Sequence, residues 1–392
     1  MKEIPVLFLT NTYPDDDSSY RGIFIKKMAT LLSGEGYQVS VVTPKIYKAS
    51  KHFEERDGIK VYRFSFGAGN RLLIQHEGIP YFKMALYYIS GFFVSLYVLL
   101  RSKCELIHVH WAIPTGLIAA WLSIIMRKPF IVTVHGSDFR MAMENNSLLY
   151  RVFCFVCRKA THISCVSHLI REELERKGIS PGKISVFPMG VEDNFLESSK
   201  ARGENGLKRP YLILSNRNLL PMYNVSWLIR AIPLVVGEEP NIKFLIAGDG
   251  PQRQDLEEQA RKLEVNGCVR FLGRVPHDEM PGLLAQADIF VSTSSCDGAS
   301  VSLLEAMGSG AFPIVADIAA NREWINDGKN GFLVPIGETE TLAKRIVQAI
   351  HNRELVETGR KENRDIVRQK ALWLANIEKV KEIYSRMSPR VA

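Results

Sequence analysis

The sequence predicts an α/β protein made of two doubly wound, mostly parallel halves, and three observations carry that expectation. Short apolar runs alternate with amphipathic helical stretches along the whole chain, which is the pattern of strand–helix–strand units rather than of hairpins. The length, 392 residues, exceeds one ordinary core and suits two domains of about 180 residues each. Between residues 193 and 210, DNFLESSKARGENGLKRP, the apolar periodicity stops and Ser, Gly, Asn, Lys and Glu gather, as in a linker.

In chain order, Val6 to Thr10 reads as a buried parallel strand and Ile23 to Leu32 as the helix that follows it. The polar loop between them, NTYPDDDSSYRG, ends at Gly22 beside the helix start, where an open α/β sheet brings backbone to a ligand. Gln38 to Thr43 is a second strand. Met84 to Leu100, MALYYISGFFVSLYVLL, is at the short end of what spans a bilayer; with Tyr87, Tyr88, Ser90 and Ser95 inside it, the expectation is a buried helix of the first domain. Its flanks, Lys83, Arg101 and Lys103, also suit an interfacial helix. The units Leu106–His110 with helix Thr115–Ile125, Phe130–Val134, His162–Val166 with helix Leu169–Lys177, and Ile184–Phe187 complete a first domain over 1–192. After the linker, strands are expected at Tyr211–Leu214, Lys243–Ala247, Val269–Leu272, Ile289–Val291, Phe312–Val315 and Gly331–Val334. The second domain is therefore set at 211–365, with a terminal helix, Leu372 to Tyr384, inside 366–392.

Hydrophobic content of 46% and charged content of 23% are those of a folded globular chain. The net charge of +8 is unevenly placed: residues 1–192 hold 24 Lys+Arg against 16 Asp+Glu, whereas 193–392 hold 26 against 26. The basic half points to nucleic acid or to an anionic surface. No recognised nucleic-acid module supports the first, so an anionic membrane surface or a pyrophosphate-bearing acceptor is expected. Met1 leads into a strand-like run rather than a basic segment and h-region, so no signal peptide is expected and the protein is placed in the cytoplasm, peripheral to the inner face of the plasma membrane.

Chemistry concentrates in residues 288–310, DIFVSTSSCDGASVSLLEAMGSG. A short strand runs through small residues into a helix, so the backbone N–H groups near Gly298, Ala299 and Ser300 suit a phosphate. Asp297 and Glu305 flank the turn and suit hydroxyl groups, and together these features suggest a nucleotide sugar. An ordinary close-packed βα unit fits the same residues. In the first half, His135 ends an apolar strand before Gly136 and is either a crevice residue or a structural histidine; Asp138 is a second polar contact or an N-cap.

Asp297-x7-Glu305 followed by Ala306-Met307-Gly308-Ser309-Gly310 resembles the E-x7-E element of glycosyltransferase family 4, with Asp in place of the first Glu. The segments IHVHWAIPTGLIAA, PFIVTVHGSD, KISVFPMGVE, FLIAGDGPQR and FLGRVPHDEMPGLLAQADIFVSTS are similar to further family patterns, with Met189 where Asn is usual. The resemblance implies the GT-B fold, two Rossmann-like domains facing a central cleft with the terminal helix packed back across them, and a retaining sugar transferase. It implies that the first domain takes the acceptor, a saccharide or polyprenyl-linked molecule, and the second the nucleotide-sugar donor, UDP- or GDP-linked. His135 is similar to the residue against the transferred sugar, and Arg217 to the arginine on the donor diphosphate. Where a Lys-Gly pair is usual the chain has Pro221-Met222-Tyr223-Asn224, so Tyr223 and Asn224 offer neutral hydrogen bonds. Arg274 and the turn from Ala299 through Ser300 and Val301 to Ser302 share the diphosphate charge; Gly273, Arg274 and Val275 resemble the base-contacting strand end. Gly22 completes the expected donor contacts.

No cofactor or metal is expected. Asp15-Asp16-Asp17 formally satisfies a metal-binding D-x-D pattern, but it lies in the acceptor half and reads as a solvated loop after Pro14. Cys154, Cys157, His162 and Cys165 have a ligand-like order on a helix passing into a strand rather than a knuckle; Cys104 and Cys296 stand alone. Two other functions fit these residues: a non-catalytic nucleotide-sugar-binding protein, and a GT-B isomerase acting on the nucleotide sugar.

Overall fold

The computed structural model describes residues 3–16, 19, 21–70, 81–145, 147–199 and 209–387. The chain divides into two compact units, Met1–Phe187 with Asn376–Ala392, and Pro188–Ala375. The division falls five residues earlier than the expected end of the first domain, and ten residues later than the expected end of the second.

The first unit is built on eight strands: β1 (Ile4–Leu9), β2 (Tyr37–Pro44), β3 (Phe53–Arg56), β4 (Ile59–Phe64), β5 (Leu106–His110), β6 (Phe130–Val134), β7 (His162–Cys165) and β8 (Ile184–Val186). Their order is β3-β4-β2-β1-β5-β6-β7-β8, parallel except for β3, which pairs antiparallel with β4. That hairpin was not expected; it turns on Asp57 and Gly58, at φ 53° and 76°, both in the left-handed region that a two-residue hairpin turn requires. The central strands β5 and β6 are buried along their whole length, which is why they read as unbroken apolar runs.

The expected buried helix is longer, Tyr81–Arg101, and is buried on one face only. Tyr87, Gly91, Ser95, Val98 and Leu99 face the core, with Tyr87 edge-on to Phe64 at 4.9 Å. Phe82, Ile89, Phe93, Tyr97 and Leu100 are exposed. Apolarity in the sequence does not say which face a neighbour will cover.

The second unit holds β9 (Tyr211–Ser215), β10 (Ile242–Ala247), β11 (Val269–Gly273), β12 (Ile289–Ser292), β13 (Phe312–Ala316) and β14 (Phe332–Val334). The sheet is parallel, in the order β11-β10-β9-β12-β13-β14. The helix Val225–Glu238 buries Trp227, Leu228, Ile229, Ile232 and Val235 against one side, each aliphatic side chain contributing about 1.5–3 kcal/mol. The expected linker is not wholly a linker. Its first residues form the helix Asp193–Ser198, with Phe195 fully buried among Val191, Leu303 and Val367; residues 200–208 lie outside the described residues.

The terminal helix is Trp373–Met387. From Asn376 on it belongs to the first unit, where Ile377, Val380, Ile383 and Tyr384 are buried.

Candidate functional site

In each sheet the strand order reverses direction at one point: between β1 and β5 in the first unit, and between β9 and β12 in the second. Loops leaving adjacent strands part there and open a crevice at the carboxyl edge, where open α/β sheets bind ligands. Most of the expected site residues lie on loops at or beside these two points; Arg274 and Val275, which follow the edge strand β11, do not.

In the second unit Arg217 follows β9 and is 7% exposed. Its NH2 donates to Asp297 Oδ1 at 2.5 Å, and its NH1 lies 3.3 Å from Ser302 Oγ and 3.5 Å from Ser300 Oγ. The guanidinium sits over the Tyr223 ring, 4.3 Å from its centroid, a stacking geometry that planar arginine favours. Tyr223 is carried there by the short helical turn Pro221–Tyr223. Thr293 Oγ1 donates to the Tyr223 carbonyl at 3.0 Å, and Ser295 donates to Met222 through its N–H and its hydroxyl. The loop after β12 thus clamps the loop after β9. Arg217 Nε and Asp297 Oδ2 are buried without a protein partner, and such orphaned polar atoms mark a place where a ligand completes the bonding.

The helix Val301–Ser309 starts beside Arg217, with Ser300 as N-cap accepting from Leu303 N–H, and stops at Gly310 in the left-handed conformation. Ala299 and Val301 are half-buried and Ser300 fully so. Glu305 is 8% exposed. Burial pushes its carboxyl up to about 7, Glu192 adds to the rise, and His277 and Arg217 oppose it. Asn224 sits in the left-handed region as N-cap of the next helix. Arg274 is exposed beyond β11, two strands from β9, and Val275 is half-buried against the core cluster that includes Leu214 and Ala247.

The Gly248-Asp249-Gly250 turn does more than end a strand. A Cβ on Gly248, at φ 140°, would lie 2.1 Å from the Arg217 carbonyl, and one on Gly250 2.5 Å from that of Leu219. Only glycine lets this turn press against the Arg217 backbone, and Leu219 N–H donates to Asp249 O at 3.0 Å.

In the first unit His135 leaves β6 with Trp111 4.4 Å and Phe24 5.3 Å from its ring. Its Nε2 is 3.1 Å from His110 Nδ1, and burial holds its imidazole well below the usual range. His110 stacks on His108 at 4.5 Å. His108 is held at both nitrogens, by Tyr384 Oη and Thr133 Oγ1, each at 2.7 Å. Gly22, at φ 65°, caps the first helix, and a Cβ there would sit 2.6 Å from the Thr12 carbonyl.

The Asp138 carboxylate is engaged within the protein. Its carboxylate accepts from Ala112 N–H at 2.7 Å and His135 N–H at 3.1 Å, tying the loops after β5 and β6 together. Burial raises it to about 6 despite those bonds.

Asp15 is also occupied structurally: Ser50 Oγ donates to it at 2.6 Å, and Arg63 lies 3.6 Å away; Asp17 lies outside the described residues. Among the described residues no three His, Cys, Asp or Glu side chains converge on a common point. Cys154, Cys157 and Cys165 are buried and form no disulfide, and His162 bonds Ser185.

Two largely parallel, doubly wound sheets, each with polar strand-end loops beside its switch point, are the architecture of the GT-B fold. The chain belongs to glycosyltransferase family 4: residues 22–195 match the family description "Glycosyltransferase Family 4" and residues 197–366 match "Glycosyl transferases group 1". It is similar to the gpi3 subunit of phosphatidylinositol N-acetylglucosaminyltransferase of Schizosaccharomyces pombe, 25% identical over 76% of this chain and 64% of that one; the match thus spans less than two thirds of that relative. It is also similar to the Escherichia coli UDP-Gal:alpha-D-GlcNAc-diphosphoundecaprenol alpha-1,3-galactosyltransferase, 25% identical over 75% of this chain and 79% of that one. The Anabaena HepE structure in complex with UDP shares the fold, with a TM-score of 0.76 and 20% identity over 98% of this chain and 100% of that one.

Proposed function

We propose that the protein transfers a sugar, with retention, from a UDP- or GDP-linked donor to a saccharide or polyprenyl-linked acceptor in the cytoplasm, as a step in surface polysaccharide or glycoconjugate synthesis. The observation that carries this reading is Arg217. A buried cation at the β9/β12 switch point, beside a helix N-terminus and with an orphaned N–H, suits a leaving diphosphate. Two relatives named for phosphatidylinositol and diphosphoundecaprenol substrates support a lipid-borne acceptor.

In the proposed step the acceptor oxygen bonds to the sugar C1 on the face from which the diphosphate departs. The C1–O bond to phosphate breaks, and the acceptor proton passes to a phosphate oxygen. Arg217 and the N–H groups of Ser300 and Ser302 carry the departing charge, so no metal is required. Asp297 and Glu305 bind hydroxyl groups rather than acting as an acid–base pair. His135, neutral and packed on Trp111, positions the sugar.

A panel of UDP- and GDP-sugars tests this. A cognate donor raises the melting temperature in proportion to RT ln(1 + [L]/Kd), and labelled donor is then consumed with acceptor; a panel without any shift refutes the reading. Tyr223 in place of the usual lysine favours one alternative, a nucleotide-sugar-binding protein, for which the shift occurs without turnover.

A further inference from the structure

We infer that the first unit carries a docking surface for an anionic lipid bilayer, formed by one face of the helix Tyr81–Arg101, the adjoining helix Thr115–Met126 and a basic hollow at their ends. It gives the proposed lipid-borne acceptor a surface and rests on that reading for its purpose only.

The outer face of the first helix bears Phe82, Ile89, Phe93, Tyr97 and Leu100, 50–76% exposed, at spacings of three, four and seven that keep them on one stripe. No charged residue interrupts the helix between Lys83 and Arg101. The neighbouring helix adds Trp121, Ile124 and Ile125, 37%, 54% and 61% exposed, with Trp121 against Tyr88 at 5.7 Å. On the other side Tyr97 meets Tyr62, and Tyr62 meets Phe53, at 6.4 and 4.9 Å between ring centroids. Single exposed apolar residues are ordinary; exposed apolar side chains gathered on neighbouring helices are the kind of patch that marks an interaction surface.

What covers it is set by charge. At the ends of both helices lies a hollow of about 660 Å³ whose wall includes Leu100, Lys103, Glu105, Arg127 and Lys128. Arg101 sits over the Tyr97 ring at 5.9 Å. Cations thus border the apolar stripe, with Glu105 in the hollow and Glu55 near Tyr62. A second copy of the chain would bring like charges together across a two-fold contact, whereas a bilayer of anionic phospholipid offers acyl chains to the stripe and headgroup phosphates to the hollow.

The helix is long and apolar enough to cross a membrane by length and composition. Its other face excludes crossing in the folded protein: a Cβ on Gly91 would lie 2.8 Å from Ile118 Cδ1, and Tyr87 donates to Asn11 at 3.0 Å. The helix lies along the bilayer surface.

Vesicle flotation with the full chain tests the inference without requiring sugar transfer. Binding to vesicles of phosphatidylcholine with phosphatidylglycerol, little binding to phosphatidylcholine alone, and steep loss with salt are expected. The triple variant Lys103→Gln, Arg127→Gln, Lys128→Gln should lose binding by about a hundredfold, and Phe93→Ser with Ile125→Ser by at least about tenfold, each with an unchanged melting transition. Unchanged binding of the triple variant, equal binding to neutral vesicles, or no binding to anionic ones overturns it. So does self-association that the Phe93→Ser, Ile125→Ser variant abolishes, which would make the face an interface between copies.

Discussion

Arg217→Ala separates the role of the buried cation from its place in the fold. The side chain makes one close ionic contact, to Asp297 at 2.5 Å, and two long ones to serine hydroxyls at 3.3 and 3.5 Å, so its loss forfeits chiefly one charge-assisted interaction. Toward a bound diphosphate that is worth about 2–3 kcal/mol, or about a 30- to 150-fold fall in kcat/KM for the donor. Stability falls too, because the Asp297 side chain, 12% exposed, loses its cation. That cost stays below the roughly 3–5 kcal/mol of a fully buried broken pair, since the Asp297 side chain keeps some contact with solvent. Initial rates at varied donor concentration, below the melting temperature of each variant, read the first quantity; thermal unfolding reads the second. Arg217→Lys keeps the charge but loses the planar stack on Tyr223, and should cost about tenfold in rate. A folded Arg217→Ala protein within a factor of two of wild type in kcat/KM would remove the cation from the site and with it the proposed path of the leaving group.

Other outcomes follow from individual contacts. Glu305 is raised to about 7, so the native state holds a proton that the unfolded state releases near 4.5, and stability declines as pH rises between those values, by up to about 3 kcal/mol. Donor KM should fall as the native carboxylate ionises, around pH 7, and Glu305→Gln should flatten both profiles; an unchanged melting-temperature slope in that variant would refute the assignment. Excess EDTA and Asp16→Asn should each leave turnover intact, and Asp15→Asn should cost about 1 kcal/mol in denaturant titrations because it loosens Ser50 and buried Arg63; rescue of an EDTA-killed rate by Mn²⁺ would sink the metal-free step. Tyr384→Phe should lower stability by about 1–3 kcal/mol by orphaning His108 Nδ1, and no change in the melting temperature would contradict that accounting.

The strands were legible because central parallel strands are apolar along their length, and the turn into a helix from Asp297 to Glu305 was legible because one stretch of chain holds it. The hairpin at Asp57-Gly58 carried a readable turn signal that the alternating pattern around it overshadowed. What could not be read depends on chain brought from elsewhere. Asp138 serves Ala112, 26 residues away, and neither residue alone shows that demand. Gly248 looked like a turn because the Arg217 carbonyl it accommodates belongs to the loop after a neighbouring strand. The outer stripe of the helix Tyr81–Arg101 looked like core because hydropathy counts apolar residues without knowing how many neighbours there are to cover them.

The bond between His108 and Tyr384 spans 276 residues, and that separation orders events at the ribosome. At about 5–20 residues per second, about 15 to 55 s pass between the making of the two side chains. Throughout that interval the sheet of the first unit exists without the helix that buries Ile377, Val380, Ile383 and Tyr384 against it. The second unit, one continuous stretch, lacks nothing once residue 375 has emerged. The half of the protein made first is therefore finished last, and until then it presents the nascent chain with an open apolar seam for chaperones to shield, a dependence that grows with every pause in translation beyond residue 187.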